Sequence, residues 1–410
     1  MIRHQVYFDT LGSLKEDTPS WRAAFAGLSV LRLVDAYTDN SASVDPANWA
    51  QLHSVRSAVE DVSAGDPIRG VLNSVLEETI ARGTIDEVVC RSLLAYGLAL
   101  DYEASWSLAT DVFQTVAKVA RPERNAMLAV EAYIAIGGAA RRNGDWEVSA
   151  RAYSQAAYIA DTMGDRNGIL TVQVGIANTY MAKGNLPQAQ TILDDVIMQA
   201  GDLELCGVQA IALHSRAALA QRRGEHAEGV KLAHEALRLE KRPAERERIL
   251  GDLAALFSEL GMRDAARDSY LLIVATAQTK WARWQATINL MELASIDGME
   301  TAFDDYANEL RRESLGPWLK SHFLLLLGEG LERFDRSEAA EQMLTEAQDL
   351  ADQNQVFSVS FRAEEDLRTV RSKSRKATAA SVLPSFRTIP NDVLAAAHDI
   401  SELRKAAATA

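Results

Sequence analysis

The amino-acid sequence predicts an all-α protein, an array of about seven helix pairs with further helices as caps at its ends. Three observations predict this fold. Residues 131–160 carry two apolar stripes at helical spacing on either side of a glycine turn, and that unit recurs along the chain. Small and large side chains also alternate in phase with the recurrence, as expected where neighbouring helices pack closely.

The stretch 131–160 reads as two short helices, here called A and B, folded back on each other. Gly144 ends helix A, because a glycine just past a helical run can adopt the left-handed conformation that caps the last carbonyls. Asp145 behind it is predicted to cap the first amides of helix B. The two stripes consist of Tyr133, Ile136, Gly137 and Ala140 on helix A, and of Ser149, Tyr153 and Ala156 on helix B.

The position of this mid-turn glycine recurs at regular intervals. Successive intervals are 40, 40, 40, 37, 37 and 37 residues, and five of the seven residues are glycine. A single unit would be weak evidence for a repeat, but a series in register is strong evidence. The mid-turn residues are Ala104, Gly144, Gly184, Gly224, Gly261, Gly298 and Asp335.

Small residues on helix A and a small residue followed by a larger one on helix B recur in the same phase. Only Met291 interrupts the small series on helix A. The helix A positions are Gly97, Gly137, Ala177, Ala217, Ala254, Met291 and Gly328. The helix B positions are Ala109, Ser149, Ala189, Gly229, Ala266, Phe303 and Ala340, followed four residues later by Phe113, Tyr153, Leu193, Ala233, Tyr270, Ala307 and Leu344.

This pattern resembles the tetratricopeptide repeat (TPR), whose signature places an aromatic residue, Leu-Gly and Tyr on helix A, and Ala and Phe on helix B. The stripes of residues 131–160 match it, with Asp161 where a closing proline is often found. Repeats of 37 to 40 residues indicate a long-repeat subtype, since additions of about one or two helical turns preserve the stripe. The length also approaches that of HEAT repeats, but the Gly-Asp or Gly-Asn turn favours TPR. The resemblance implies a right-handed α-solenoid of about seven TPR-like helix pairs with helical caps.

The flanking regions lack the repeat phase. Residues 1–85 are predicted to form an N-terminal helical cap or degenerate repeats, with a polar arm at 1–19 that includes a short extended segment at 5–8. Helices are expected at about 19–37, 47–62 and 67–82. The repeats occupy 86–352, a closing helix 353–370, and a C-terminal helix 391–410. Residues 371–390 are predicted to be a flexible basic linker, because 368–391 contain six basic and no acidic residues.

Composition excludes several classes of protein. The formal charge of −14 disfavours nucleic acid and anionic membranes as partners of the whole molecule. No run approaches the roughly 18 apolar residues of a membrane span, and the N-terminus lacks the apolar core of a signal peptide, so we expect a cytoplasmic protein. Two cysteines, Cys90 and Cys206, are too few for a disulfide framework or a four-thiolate zinc site, and both are predicted to be buried in apolar helices.

The sequence contains no catalytic motif: no HExxH, no Walker phosphate loop and no GxSxG elbow. Gly328 and Gly330 flank Glu329 within a helix and are interpreted as packing residues. His226 and His234 lie eight positions apart on one helix, a spacing that admits a metal site, but a solvated polar face is the preferred interpretation. We therefore expect no enzyme activity, no cofactor and no metal.

The TPR resemblance implies that helix A lines a concave wall that binds an extended peptide or another protein. On that wall Asn178 and Asn289 can donate to and accept from a peptide backbone, and arginines can hold a carboxylate. The alternative is that each of these groups only satisfies polar neighbours or is solvated. The lysine-asparagine carboxylate clamp of chaperone-binding TPR proteins is not matched. The predicted partner-binding residues are Arg141, Arg142, Asn178, His214, Arg222, Asp252, Asn289 and Glu292.

The basic segment 368–391 has three interpretations: a flexible linker, a tail that docks on the acidic body, or a contact for an acidic partner or nucleic acid. The absence of interleaved aromatic residues disfavours nucleic acid.

For the whole chain the main prediction is a non-catalytic scaffold or adaptor that binds a protein or peptide. The alternatives are a peptide- or ligand-responsive regulatory sensor that controls a partner protein, and an enzyme subunit with an unrecognised site. The sequence indicates no oligomeric state.

Overall fold

A computed structural model of the chain describes residues 3–39, 48–120, 122–354, 356–373 and 389–409. Throughout these residues the secondary structure is helical, and they contain no strand. The chain divides into two compact units, Met1–Ile192 and Leu193–Ala410. The all-α fold class predicted from the sequence is therefore confirmed.

Four helices precede the repeats and two follow them. The preceding helices are α1 (Gln5–Ser13), α2 (Pro19–Asp39), α3 (Asn48–Glu60) and α4 (Pro67–Arg82). The helix pairs are α5 (Glu87–Tyr102) with α6 (Trp106–Ala120), α7 (Pro122–Arg142) with α8 (Trp146–Met163), α9 (Arg166–Ala182) with α10 (Leu186–Asp202), α11 (Cys206–Arg222) with α12 (His226–Leu239), α13 (Pro243–Glu259) with α14 (Arg263–Thr276), α15 (Lys280–Ile296) with α16 (Glu300–Leu310), and α17 (Pro317–Arg333) with α18 (Ser337–Gln353). The chain ends with α19 (Phe357–Lys373) and α20 (Asn391–Thr409).

The mid-turn position has the same backbone geometry in every pair. All seven residues have positive φ, from 55° at Ala104 to 82° at Gly144 and Gly184, so the repeat register read from the sequence is correct. The amide of the following residue donates to a carbonyl in the last turn of helix A, as Asp145 N does to Ala140 O at 2.8 Å. This is the hydrogen bond of a Schellman motif, and it ends each A helix in the same way.

The predicted capping role of Asp145 is wrong. Its side chain makes no cap hydrogen bond to α8 but accepts one from the Asn143 side chain at 2.6 Å. Its backbone φ of −82° and ψ of 70° differ from the extended conformation that N-cap residues usually adopt, which accounts for the lost contact.

Glycines on the A helices admit large side chains from the B helices. In the first unit, a Cβ built at Gly97 would lie 2.3 Å from the ring of Phe113, so no other residue fits there without movement. In the second unit, Gly328 stands in the same relation to Leu344, at 2.6 Å. In the pair α15 and α16 the sizes are reversed, since Met291 lies where the other A helices carry glycine or alanine and Ala307 replaces the large residue. Both are buried, so volume is conserved by exchange.

The N-terminal residues are not a polar arm with an extended segment, as the sequence suggested. They form α1, which contacts α2 and α6. Tyr7 is fully buried, and its hydroxyl lies 3.0 Å from that of Tyr96. His4 lies between the carboxylates of Asp35 and Asp111. These contacts connect α1 to helices far along the chain, which local sequence cannot show.

The two C-terminal helices pack against different helices of the second unit. Helix α19 packs against α17 and α18 and runs to Lys373, three residues further than predicted. Helix α20 packs against α14 and α12, two B helices earlier in the second unit. Most of the predicted basic linker, 374–388, lies outside the described residues.

Two further predictions concern burial. Cys90 is buried, but Cys206 is exposed because it is the first residue of α11, contrary to the prediction. Of the helices described, none combines the length and the apolar character that crossing a membrane requires.

Candidate functional site

The A helices present the candidate binding residues, and each unit has its own set. In the first unit, Arg141 and Arg142 lie in the last turn of α7, and Asn178 lies on α9. In the second unit, the predicted residues lie on α11, α13 and α15. They are His214 and Arg222 on α11, Asp252 on α13, and Asn289 and Glu292 on α15.

Arg141 is positioned by a tyrosine of the B helix. The ring of Tyr153 on α8 passes between two glycines: a Cβ at Gly137 would lie 2.6 Å from it, and a Cβ at Gly175 of α9 would lie 2.4 Å from it. Its hydroxyl group lies beside the guanidinium of Arg141. The two glycines therefore leave room for Tyr153 of a B helix to reach Arg141 of an A helix.

The environment of Arg141 leaves part of its hydrogen-bonding capacity unused. Its Nε is buried and has no hydrogen-bond acceptor. Burial lowers the pKa of Arg141 and the charge of Arg142 lowers it further, while Tyr153 and the charge of Asp101 oppose the shift. In the part of the chain that the structure describes, no carboxylate forms an ion pair with Arg141. A partly buried guanidinium without a direct ion pair is a favourable place for an anionic group of a ligand.

Arg142 differs from Arg141 because its guanidinium already binds a carboxylate of the same chain. Its Nε and Nη2 donate to the two carboxylate oxygens of Asp101 on α5, at 2.8 and 2.7 Å. Arg91 on α5 is likewise paired, with Glu131 and Glu87. Arg142 therefore links two A helices rather than offering an unpaired cation.

In the second unit, a histidine and a carboxylate connect two A helices. His214 Nε2 on α11 lies 2.6 Å from an oxygen of Asp252 on α13. Asn289 on α15 accepts a hydrogen bond from Gln285 at 3.4 Å, and Tyr270 of α14 lies beside it. Tyr270 occupies the same repeat position as Tyr153, so a tyrosine of the B layer again supports a polar residue of an A helix.

Three carboxylates occupy one repeat position on three successive A helices. Glu292, Glu329 and Asp366 are separated by 37 residues each and lie on α15, α17 and α19. Arg362 Nε lies 2.6 Å from Glu329, and Arg333 Nη2 lies 3.2 Å from it. The second unit thus presents an acidic stripe that two arginines partly neutralise.

The pKa values in this acidic stripe are raised. Burial, and then the charge of Glu329, raises the pKa of Glu292. The same two causes, with a hydrogen bond to Glu329, raise the pKa of Asp366 to about 6. His322 on α17 stacks on Trp318, and burial together with the charge of Arg362 lowers its pKa. Removal from water explains the direction of all three shifts.

Arg362 and Asp366 were missed in the predicted set, because α19 was interpreted only as a closing helix. The signal was present: Asp366 follows Glu329 by the 37-residue repeat. Helix α19 is therefore an eighth A helix that continues the surface. Arg222 lies in the last turn of α11, at the repeat position of Arg142 and Arg333.

The described side chains contain no group of three or more His, Cys, Asp or Glu residues that could hold a metal ion. His226 is the first residue of α12, and His234 lies 3.2 Å from Asp399 of α20, so the two histidines have separate surroundings. Gly328 and Gly330 pack against Leu344 and Phe303, as their interpretation as packing residues required.

No protein-family model and no curated protein matches the sequence. Solved structures with similar arrangements include NprR in complex with its cognate peptide NprX, with 14% identity, 85% of this chain and 93% of that chain covered, and a TM-score of 0.47. A Rap protein complexed with competence and sporulation factor has 14% identity, coverage of 86% and 98%, and a TM-score of 0.34. BtubC from P. vanneervenii has 15% identity, coverage of 50% and 88%, and a TM-score of 0.36. At these TM-scores the three structures do not assign a function to this chain.

Proposed function

We propose that this chain is a non-catalytic, cytoplasmic binding protein of the long-repeat TPR type, which holds an extended peptide or a segment of another protein on its A helices. The observation that carries the proposal is the environment of Arg141. Its Nε is buried and has no acceptor, and Tyr153 of the following B helix lies beside its guanidinium. An unsatisfied buried cation costs stability, and a bound anionic group would offset that cost.

The first unit is suited to a carboxylate, from an acidic side chain or a peptide C-terminus. A guanidinium binds carboxylates through charge-assisted hydrogen bonds, and the Nε of Arg141 offers such a donor. Asn178 lies on the neighbouring A helix and carries both a donor and an acceptor for a peptide backbone.

The second unit is suited to a polar peptide with basic side chains. Asn289 supplies an amide, and the acidic stripe of Glu292, Glu329 and Asp366 supplies carboxylates. Burial and the charge of Glu329 raise the pKa of Glu292, while Arg362 and Arg333 oppose the shift, and a cation of a ligand would favour the charged form there.

The test is a selection of random peptides on the immobilised chain, followed by affinity measurements on the selected sequences. We expect them to carry Asp, Glu or a free C-terminal carboxylate, and Arg141→Gln to weaken their binding by about tenfold or more, since a charged hydrogen bond is lost. The matched control is Arg151→Gln, an exposed arginine of α8 paired with Glu147. Equal affinities for the wild type and Arg141→Gln would refute the assignment of Arg141.

A ligand-responsive regulatory sensor is the second candidate. It is favoured by α20, which lies folded back on α12 and α14 instead of extending the repeats. Solution scattering with a selected peptide separates the two functions. A sensor would show a fall in radius of gyration on binding, whereas a static scaffold would show none.

A further inference from the structure

Helix α20 covers a surface formed by two B helices of the second unit, α12 and α14. It buries an apolar stripe at i, i+3 and i+7, formed by Val393, Ala396 and Ile400. Each of these side chains is 0% exposed. They join the hydrophobic core of the helices beneath, which includes Val230, Ala233, Leu237, Ala266, Tyr270 and Ile273.

An ion pair at the start of α20, a contact between a carboxylate and a histidine at its middle, and a second ion pair at its end flank this stripe. Asp392 meets Lys231 at 2.7 Å, and Asp399 meets His234 at 3.2 Å, both on α12. Arg404 meets Asp268 of α14 at 3.0 Å. The charges are complementary in both directions, because two acidic residues face α12 and one basic residue faces α14. They define the direction and the register of a helix on this surface.

Helix α20 resembles a bound ligand more than a repeat. Its main contacts are with α14 and α12, whereas the helix before it in the sequence, α19, packs on α17 and α18. Outside the stripe, its large apolar side chains are half exposed: Leu394 at 48% and Leu403 at 42%. A short apolar stripe with flanking ion pairs is the pattern of an amphipathic helix docked in a groove.

We propose that the surface of α12 and α14 is a helix-binding site, which α20 occupies within the chain and which an amphipathic helix of a partner protein takes in its place. The partner helix has small or β-branched apolar residues at i, i+3 and i+7, acidic residues at i−1 and i+6, and a basic residue at i+11. This pattern is read from α20 and from the side chains that face it. The site is distinct from the A-helix surfaces and does not depend on what they bind.

The test uses the full chain and a labelled peptide of residues 389–409. In the wild-type chain the peptide must compete with α20, which is present at high effective concentration. Ile400→Asp in the chain puts a charge into the stripe and weakens α20 without touching α12 or α14. We expect saturable binding to the Ile400→Asp chain, with affinity about tenfold or more above that for the wild-type chain.

Charge reversal gives the specific control. The peptide with Asp392→Lys should bind the Ile400→Asp chain more weakly, and adding Lys231→Asp to that chain should restore the affinity. The peptide that itself carries Ile400→Asp should not bind. Binding that ignores these changes would overturn the proposal.

Hydrogen exchange of the wild-type chain covers the case in which Ile400→Asp does not fold. We expect the amides of α20 to exchange at least tenfold faster than those of α12 and α14, because a displaceable helix must open separately. Exchange of all three helices as one unit would overturn the proposal. A concentration-dependent dimer of the wild-type chain, abolished by Ile400→Asp, would overturn it in favour of a second copy of α20 as the occupant.

Discussion

Three ionisable side chains on the A helices are partly buried. Burial lowers the pKa of Arg141 and raises the pKa of both Glu292 and Asp366. In each case the charged form is disfavoured, because the side chain has lost water without gaining a full set of partners. Apolar residues at these positions would be more stable. The chain therefore carries a stability cost at the positions where a ligand would offset it.

We expect Asp366→Asn to stabilise the folded chain at pH 7. Burial, and then the charge of Glu329, raises the pKa of Asp366 from 3.8 to about 6. The native carboxyl group holds its proton more tightly than the unfolded one, so wild-type stability falls as the pH rises from about 4 to about 6. Because the group is partly exposed, the gain from the substitution is about 1 kcal/mol after allowance for solvent screening.

Urea denaturation of the wild type and Asp366→Asn at pH 7 and near pH 4 measures this gain. The gain should be much smaller at the lower pH, where the native carboxyl group is protonated and that of the unfolded chain is close to half protonated. Glu338→Gln, at an exposed carboxylate of α18, is the control. An equal gain at both pH values would contradict the stated cause.

At the scale of elements, α1 and α20 both dock on helices distant in the sequence. Helix α1 uses Tyr7 and His4, and α20 uses its apolar stripe, two ion pairs and the contact of Asp399 with His234. In the repeats, by contrast, most A helices pack against the B helix that follows them. The positions of α1 and α20 therefore depend on contacts that the repeat pattern does not specify.

We expect the docking of α1 to weaken as the pH rises. Burial lowers the pKa of His4, but the hydrogen bond and charge of Asp111 and the charge of Asp35 outweigh it, so the pKa is raised. Arg3, the residue before His4, also forms an ion pair with Asp35. The stabilisation is complete below the unfolded pKa of about 6.5 and is lost as the pH rises through the folded value.

Hydrogen exchange of α1 across this range measures the effect. Protection of α1 should fall with rising pH, after correction for the intrinsic exchange rate, while that of α5 stays constant. In His4→Gln the protection of α1 should be independent of pH. At the acidic end of the range it should be lower than in the wild type by about 2 kcal/mol. The same pH profile in His4→Gln and in the wild type would rule out His4 as the cause.

Local sequence indicated the helices from α2 onwards but missed α1, and it did not show where α1 and α20 dock. The mid-turn glycines indicated the register of the seven pairs, because a backbone position with positive φ favours glycine and can therefore be recognised in the sequence. Tyr7, by contrast, meets Tyr96, and nothing near either residue indicates the other. The stripe of α20 predicts an amphipathic helix, yet it does not name the surface of α12 and α14.

The candidate site was predictable to a similar extent. Register placed Arg141, Asn178 and Glu292 on the A helices, but it could not show that Arg142 is occupied by Asp101 or that Tyr153 supports Arg141. These facts depend on side-chain packing between helices. Asp366 was missed although its 37-residue spacing from Glu329 was visible.

At the scale of the whole molecule, the same turn geometry and the same packing of a small A residue against a larger B residue recur from pair to pair, with a few exceptions. Each A helix ends at a residue of positive φ, and most pairs place a small A residue opposite a larger B residue. Ala104 and Asp335 show that the turn survives without glycine, and Met291 with Ala307 shows that the sizes can be exchanged. In a repeat array such exceptions cost local stability without changing the fold.

The first of these exceptions gives a test of how strongly the turn specifies the array. Ala104 has a φ of 55°, a left-handed conformation that an alanine adopts at a cost of about 1 kcal/mol. Ala104→Gly removes this cost, and we expect it to stabilise the chain by somewhat less, because glycine also gains entropy in the unfolded state. Gly144→Ala, at the same position of the next pair with a φ of 82°, should destabilise it. Urea denaturation measures both. Opposite signs would show that the turn geometry is imposed by the array, whereas a loss of stability in Ala104→Gly would mean that the alanine side chain contributes contacts that outweigh its strain.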